Sequence, residues 1–310
     1  MNNIKNFINS KILTITSLVK GKFIQYKYKY FKKPKNLISL RASSYPYISG
    51  DTFLSIADCL IITDEDKPLI IKSEKNKDII FIENNMLEKK WVFDYAKNFK
   101  KVIIHNGDQT PDLKFIRALK NRKIYVFGVN INFREKYIEP IPVGIENAQH
   151  KKNGHLDYYN PISLAKNFQP KTNILLTSFS IRQYKLLPES TEVRKKYKDL
   201  LEEYNYKNIS FRNLKDYRKK LFSSYFVICP PGNGIDCHRN WEALYHKTIP
   251  VIEEKYYLFS HIELPILVVK SLEEFFNYSD KEKLELYHEI INKPNEAIYA
   301  QWWINYIYSK

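Results

Sequence analysis

Asp236, His238, Arg239 and Glu242 fall within seven consecutive positions, between two apolar runs. The stretch reads FVICPPGNGIDCHRNWEALYHKTIPVIEE, residues 226–254. The first run, FVICP, stops at two prolines; Gly232, Asn233 and Gly234 follow; the second run, IPVIE, comes after the charged group. FVICP has the continuous apolar character of a buried parallel strand, and ligands of parallel sheets sit beyond the carboxyl ends of the strands. Gly232 and Gly234 let the backbone approach a ligand closely or take a positive φ, with Asn233 between them in the turn. Asp236 suits the N-cap of a helix starting near Cys237. That helix points free N–H groups at the same spot, which favours an anion. His238 and Arg239 lie in its first turn, where cations oppose the helix dipole unless an anion is held there. Glu242 is three residues after Arg239 and on the same face. A carboxylate there accepts hydrogen bonds from two vicinal hydroxyls, such as those of a ribose. The pattern describes a diphosphate site with a diol acceptor beside it. A plainer reading makes Asp236 a cap, Arg239 and Glu242 a surface pair, and the glycines a turn.

Residues 229–254 resemble the donor-binding motif of exostosin-like glycosyltransferases, a family 47 type built on two Rossmann-like domains. Arg239, Glu242, Ala243, Leu244, Pro250 and Val251 stand where that pattern places them. Weaker likeness extends to SGDTF (49–53), IHNGDQTP (104–111), IPVGIEN (141–147) and TSFSIR (177–182), so that it touches most of residues 38–270. The resemblance implies a hexosyl- or pentosyltransferase acting on a nucleotide-diphosphate sugar, with Glu242 on the nucleotide ribose. It departs from the pattern at Gly234, where the wider class has the first Glu of an E-x7-E pair, and at Lys247, where Gly is usual. The donor expected is UDP-linked and the acceptor a glycan or lipid-linked glycan, as in surface polysaccharide synthesis. No metal or other cofactor is expected.

Sugar transfer with inversion needs one base to take the acceptor hydroxyl's proton. Three residues compete: His105 and Asp108 in HNGD, at a strand's carboxyl end, and Asp51 in SGDTF. Asn-Gly turns and helix caps account for the same residues more plainly. Gly144 suits close approach to the donor phosphates, Glu146 or Asn147 reach sugar hydroxyls, and Arg182 completes a bidentate phosphate clamp. Asp64 and Asp66 form a DxD, but the pair occurs too early to follow a nucleotide-binding half, and an acidic turn before Pro is commoner. Cys237 and His238 are two candidate ligands without partners and so make no metal site, and they make no hydrolase pair, because neighbours on a helix do not face each other.

The elements that must position these residues read as two βαβ arrays. The first has strands at 36–40, 78–83, 101–106 and 123–129, with helices over 50–62, 85–99 and 112–120. The second has strands at 173–179, 226–230, 249–253 and 264–270, with helices over 191–204, 216–225, 239–247 and 271–276. The expected fold is α/β, two Rossmann-like domains facing a cleft, the GT-B type. The boundaries are a basic arm (1–35), an acceptor-side domain (36–150), a linker (151–171), a nucleotide-sugar-binding domain (172–290) and a C-terminal helix (291–310) packing back across both.

The size agrees: 310 residues and 37.0 kDa exceed one compact core. At 44% hydrophobic residues the chain is globular, and three cysteines without CxxC spacing argue against a disulfide scaffold. No apolar run reaches the length of about 18 residues that a spanning helix needs. The net charge is +16, and nine lysines lie in residues 1–40, ahead of the first acid, Asp51. The arm interleaves them with aromatics in KGKFIQYKYKYFKKPK (20–35). Lysine and aromatics suit an anionic membrane surface, which is preferred, or nucleic acid. The first places the chain as a cytoplasmic protein on the membrane's inner face. The second makes it a non-enzymatic polyanion-binding protein, which leaves 226–254 without a role.

Overall fold

The computed structural model describes residues 44–64, 67–72, 78–148, 150, 154, 156–159, 170–293 and 295–310. The basic arm, the strand expected at 36–40, Asp66 and most of the linker lie outside the described residues. The described residues are mixed α/β with two sheets. The first contains β1 (Cys59–Asp64), β2 (Lys67–Lys72), β3 (Ile79–Glu83), β4 (Lys101–His105), β5 (Tyr125–Gly128) and β6 (Ile138–Pro140). Its order is β2-β1-β3-β4-β5-β6; β2 alone is antiparallel, as a hairpin with β1, and the other five strands are parallel. The second sheet, from β7 (Asn173–Leu176), β8 (Ser224–Ile228), β9 (Ile249–Glu253) and β10 (Leu267–Val269), is parallel throughout in the order β10-β9-β8-β7.

In sequence order the helices are α1 (Gly50–Leu54), α2 (Lys90–Ala96), α3 (Leu113–Lys120), α4 (Glu189–Glu203), α5 (Leu214–Phe222), α6 (His238–Tyr245), α7 (Leu272–Asn277), α8 (Asp280–Ile291) and α9 (Ala300–Ser309). Local chemistry sets several of their ends. The Ser49 hydroxyl accepts from Thr52 N at the start of α1, and Asp112 accepts from Lys114 N at the start of α3. A reciprocal Ser279–Glu282 capping box opens α8. Among the described residues no helix is long and apolar enough to cross a membrane.

The helix expected over 50–62 ends at Leu54, and Cys59–Asp64 is a strand. The period of two explains it: Leu60 faces one core and Cys59 and Ile61 the other. The helix expected over 85–99 is a single 3₁₀ turn, Asn84–Met86, followed by the shorter α2. β2 and β6 were not foreseen. Both are edge strands, and β6 carries Pro140 where a missing N–H is tolerated.

Strand alternation divides the apolar side chains among three cores. Ile80, Ile82, Val102, Ile104 and Val126 pack under α2 and α3. Phe226, Ile228, Ile249 and Val251 pack against α4, α7 and α8. The opposite faces of both sheets meet one central core. It receives Ile79, Phe81, Ile103 and Phe127 from the first sheet and Val227, Cys229 and Ile252 from the second, with Trp241 and Tyr245 of α6 and Trp303 and Ile307 of α9. Helix α9 lies across the first half: Ala300 N donates to Pro46 O (3.0 Å), and Lys101 Nζ donates to Tyr308 O (3.0 Å).

Candidate functional site

The first sheet's order changes direction only at β1, through the antiparallel hairpin to β2, and the second sheet's order does not change direction, so neither sheet has two parallel crossovers diverging from one crevice. The place to look is the seam where the carboxyl end of β8 meets the first half. The loop after β8 is clasped there by the first half's own residues. A Cβ on Gly234 would run into the Asn130 amide and the Asp108 carbonyl, so this glycine admits the other half rather than a ligand. Asn233 Nδ2 donates to Asp108 Oδ2 at 3.1 Å. A Cβ on Gly232 would meet Cys237 Sγ at 3.3 Å and Arg194 Nη2 at 3.4 Å. Of the three glycines, only Gly144 has positive φ (67°), and a Cβ there would collide with the Ile48 carbonyl.

Asp236 is not the helix cap. The N-cap of α6 is Cys237, which makes no side-chain capping bond. Asp236 is a strut across the seam: Oδ2 accepts from Val143 N (2.8 Å) and Trp241 Nε1 (2.9 Å), and Oδ1 from Asn240 Nδ2 (3.0 Å). Its own N–H donates to Asn130 Oδ1 at 2.7 Å. Burial raises its carboxyl pKa, and these three donors act against the rise. A ligand finds no lone pair of this carboxylate on offer, which removes Asp236 from the donor-binding set.

The first turns of α6 are different. Arg239 and Glu242 are both partly buried and do not pair with each other, so the plainer reading of a surface ion pair fails. Among the described residues the Glu242 carboxylate forms no hydrogen bond or ion pair with a side chain. Burial raises its pKa, His238, Arg239 and Arg218 pull it back, and Glu146 of the first half pushes it up again. Arg239 Nε and the Tyr217 hydroxyl are neighbours, each buried without a well-formed hydrogen bond. Buried polar atoms normally find partners, which makes this set a candidate ligand site, with Arg239 and Tyr217 acting on each other inside it. His238 is fastened through Nδ1 to the Gly144 carbonyl (2.7 Å), which ties α6 to the first half. A carbonyl only accepts, so Nδ1 carries the proton.

The three candidate bases fare poorly. His105 has both ring nitrogens engaged, Nε2 with Pro142 O (3.1 Å) and Nδ1 with Asn106 N (2.7 Å), and is 3% exposed. Asp51 is fully buried and accepts from Ala148 N through Oδ2 (2.7 Å). Asp108 holds Asn233. Asp108 bridges the seam, whereas His105 and Asp51 hold loops of the first half to one another. Arg182 sits on an exposed turn, its guanidinium 5.1 Å from the Tyr184 ring centre. It lies near Arg194, whose pKa is lowered by burial first and then by Arg239 and Arg182.

Sequence reading missed Arg194, Tyr217 and Arg218. Arg194 is 5% exposed and props the glycine loop through Pro231 O (2.7 Å), Pro230 O (3.2 Å) and Ser180 O (3.0 Å). Its signal was available: positions 190, 194, 197 and 201 make one buried stripe of α4 with an arginine inside it. Arg218 of α5 stacks 3.4 Å from the Tyr158 ring centre, and its charge draws the Glu242 carboxyl pKa down. Burial pushes the Cys237 thiol up to about 11, which keeps it protonated and unsuited to nucleophilic attack. Among the described residues no three His, Cys, Asp or Glu side chains gather to hold a metal ion.

No model of a protein family matches the sequence, and no curated protein matches it. Among solved structures the chain is similar to the N-terminal domain of Candida albicans trehalose-6-phosphate phosphatase, at 12% identity and a TM-score of 0.37, over 76% of this chain and 72% of that one. A likeness that faint carries no argument about activity.

Proposed function

We propose that the chain is a glycosyltransferase of the exostosin-like, GT-B type. In this reading it moves a sugar from a nucleotide-diphosphate donor, UDP-linked in the first instance, to a glycan or lipid-linked glycan, without a metal ion. The supporting observation is that Arg239 and Glu242, on one face of α6 beyond the carboxyl end of β8, form no ion pair with any described residue. Arg239 and the amino end of α6 hold the leaving diphosphate, and Glu242 accepts from the ribose hydroxyls. Stabilising the charge that develops on the diphosphate is then the main catalytic contribution. The basic arm keeps the enzyme at an anionic membrane face beside its acceptor.

Thermal unfolding with UDP, GDP, CMP and ADP, with and without Mg²⁺, tests this. One diphosphate at about 100 times its dissociation constant should stabilise the wild type by about 2.7 kcal/mol. Glu242→Ala should lose that shift. No shift with any nucleotide would sink the donor site. The polyanion-binding reading would then be tested by salt-dependent nucleic-acid affinity with residues 1–35 present and deleted.

A further inference from the structure

The geometry points to a second membrane-docking surface, on the folded part of the chain: the rim formed by residues 177–188 and 204–213 seats on an anionic lipid bilayer. The rim extends the membrane part of the proposed function and rests on that reading, but not on sugar transfer.

The two segments connect β7 to α4 and α4 to α5. They are bonded to each other beyond the carboxyl end of β7. Ile209 N donates to Thr177 O (2.8 Å), and Thr177 Oγ1 donates to Lys207 O (2.6 Å). The Asn208 amide accepts from Phe179 N (3.0 Å) and donates to Phe179 O (2.8 Å). Tyr184 anchors the rest of the first segment. Its N–H donates to Thr191 Oγ1 (3.1 Å), and its buried ring lies 4.6 Å from the Arg194 guanidinium. Arg194 in turn donates to Ser180 O in this segment and to Pro230 O and Pro231 O in the glycine loop. The rim is therefore one braced surface, fixed to the edge of the candidate site.

Its outward side chains are of two kinds. Ile181 (38% exposed), Leu186 (48%) and Ile209 (37%) stand in solvent. Among the described residues eight large apolar side chains are exposed, and these two bonded segments hold three of them, which is a concentration rather than a scatter of single residues. Arg182, Lys185, Lys207 and Arg212 are exposed beside them, and none makes an ion pair with a described residue. Neither segment contains an Asp or Glu.

This combination selects the partner. Cations alone would serve any polyanion. Exposed aliphatic side chains gain nothing from a nucleic acid, which offers phosphates to cations and base faces to aromatics. A bilayer surface satisfies both kinds at once: aliphatic groups enter the acyl boundary while Lys and Arg meet anionic headgroups. Docking through the rim holds the candidate site at headgroup level, where a lipid-linked acceptor presents its glycan. The arm gives the attachment charge, and the rim gives it an orientation.

The test uses the full chain and sedimentation with vesicles, either equal parts phosphatidylcholine and phosphatidylglycerol or phosphatidylcholine alone. The wild type should bind the first far more tightly. Lys185→Gln/Lys207→Gln/Arg212→Gln should weaken that binding on the order of 10²-fold. Ile181→Ser/Leu186→Ser/Ile209→Ser should weaken it about tenfold. All six side chains are exposed, so both variants should keep the wild-type thermal transition. An environment-sensitive dye on Leu186→Cys reads position directly, with dye-treated wild type as the baseline for the three native cysteines. On anionic vesicles this dye should shift to the blue and be quenched by spin-labelled lipid. The same dye on Glu285→Cys, on the solvent side of α8, should do neither. Wild-type affinity in both variants, or a Leu186→Cys dye left in water on vesicle-bound protein, would overturn the rim and leave the arm as the whole attachment. A wild type that ignores anionic vesicles would overturn it too, and tight binding of that chain to single-stranded RNA would assign the cations to nucleic acid. The nucleotide thermal shift separates the two readings: its absence with a docked rim sinks only the donor site, and its presence with the dye left in water sinks only the rim.

Discussion

His246 is a histidine that the fold keeps neutral. It is 2% exposed, and its Nδ1–H donates to Glu242 O at 2.7 Å. Burial is the main cause of a pKa lowered to about 4 from the ordinary 6.5; Arg218 and Lys171 add to it, and the Glu242 carbonyl opposes it. Below pH 6.5 the unfolded chain takes a proton that the folded chain refuses, so stability falls with pH. The loss starts near 6.5 and is complete below about 4. The full size of this contribution is about 3 kcal/mol. His246→Gln should flatten the stability–pH curve between pH 7 and 4.5, read as urea midpoints at both values. Asp236 and Glu242 have raised pKa values and act in the opposite sense, so the informative quantity is the difference between variant and wild type. A variant with the wild-type slope would remove His246 from the acid response. At this scale the sequence showed which residues carry charge but not what each one faces. Arg239 and Glu242 were legible from helical spacing. The strut role of Asp236 was not, because Val143 lies 93 positions away in the chain.

Among the elements, the loop between β8 and α6 shows how a ligand-like pattern serves a seam. Glycines before a helix look the same in sequence whether a phosphate or another half of the protein comes close. Only the neighbours decide, and here they are Asn130 and Asp108. Gly234→Ala must push Asn130 Cγ, 2.8 Å from the added carbon, and the Asp108 backbone aside. The expected cost is about 1–3 kcal/mol in urea unfolding. Gly232→Ala meets nothing nearer than 3.3 Å and should cost clearly less. Equal losses at the two positions would mean that the seam yields and that the close approach is not constraining. The fully buried strands were the most legible elements, because continuous apolar runs such as IIFIE and FVICP leave few alternatives, whereas β1, β2 and β6 escaped. The boundary after Leu54 was the least legible. Phe53, Ile56 and Leu60 fit a helical stripe as well as they fit a short helix followed by a strand.

For the whole molecule, the decisive feature is that the two sheets share a core. Two βαβ arrays read from sequence suggest two bodies, because periodicity reports which face of an element is apolar and not what covers it. Here the inner faces of both sheets, α6 and α9 bury residues in one cluster, with Trp303 and Ile307 fully inside. Trp303 touches Phe259 edge-on with ring centres 5.7 Å apart, and its Nε1 donates to Ala297 O at 2.8 Å. Helix α9 also carries Lys310, 3.8 Å from Glu139 of β6. With the core held in common, neither half keeps its apolar face covered when the other opens. Thermal unfolding should therefore be a single transition by calorimetry, with equal van't Hoff and calorimetric enthalpies. Trp303→Ala should lower stability by about 3–5 kcal/mol, the range for removing a large buried aromatic. The loss should register equally in far-UV signal and in tyrosine fluorescence, because both halves depend on the same side chain. Two resolved transitions, or a Trp303→Ala loss confined to one of them, would mean that the halves unfold as separate bodies and that the shared core does not couple them.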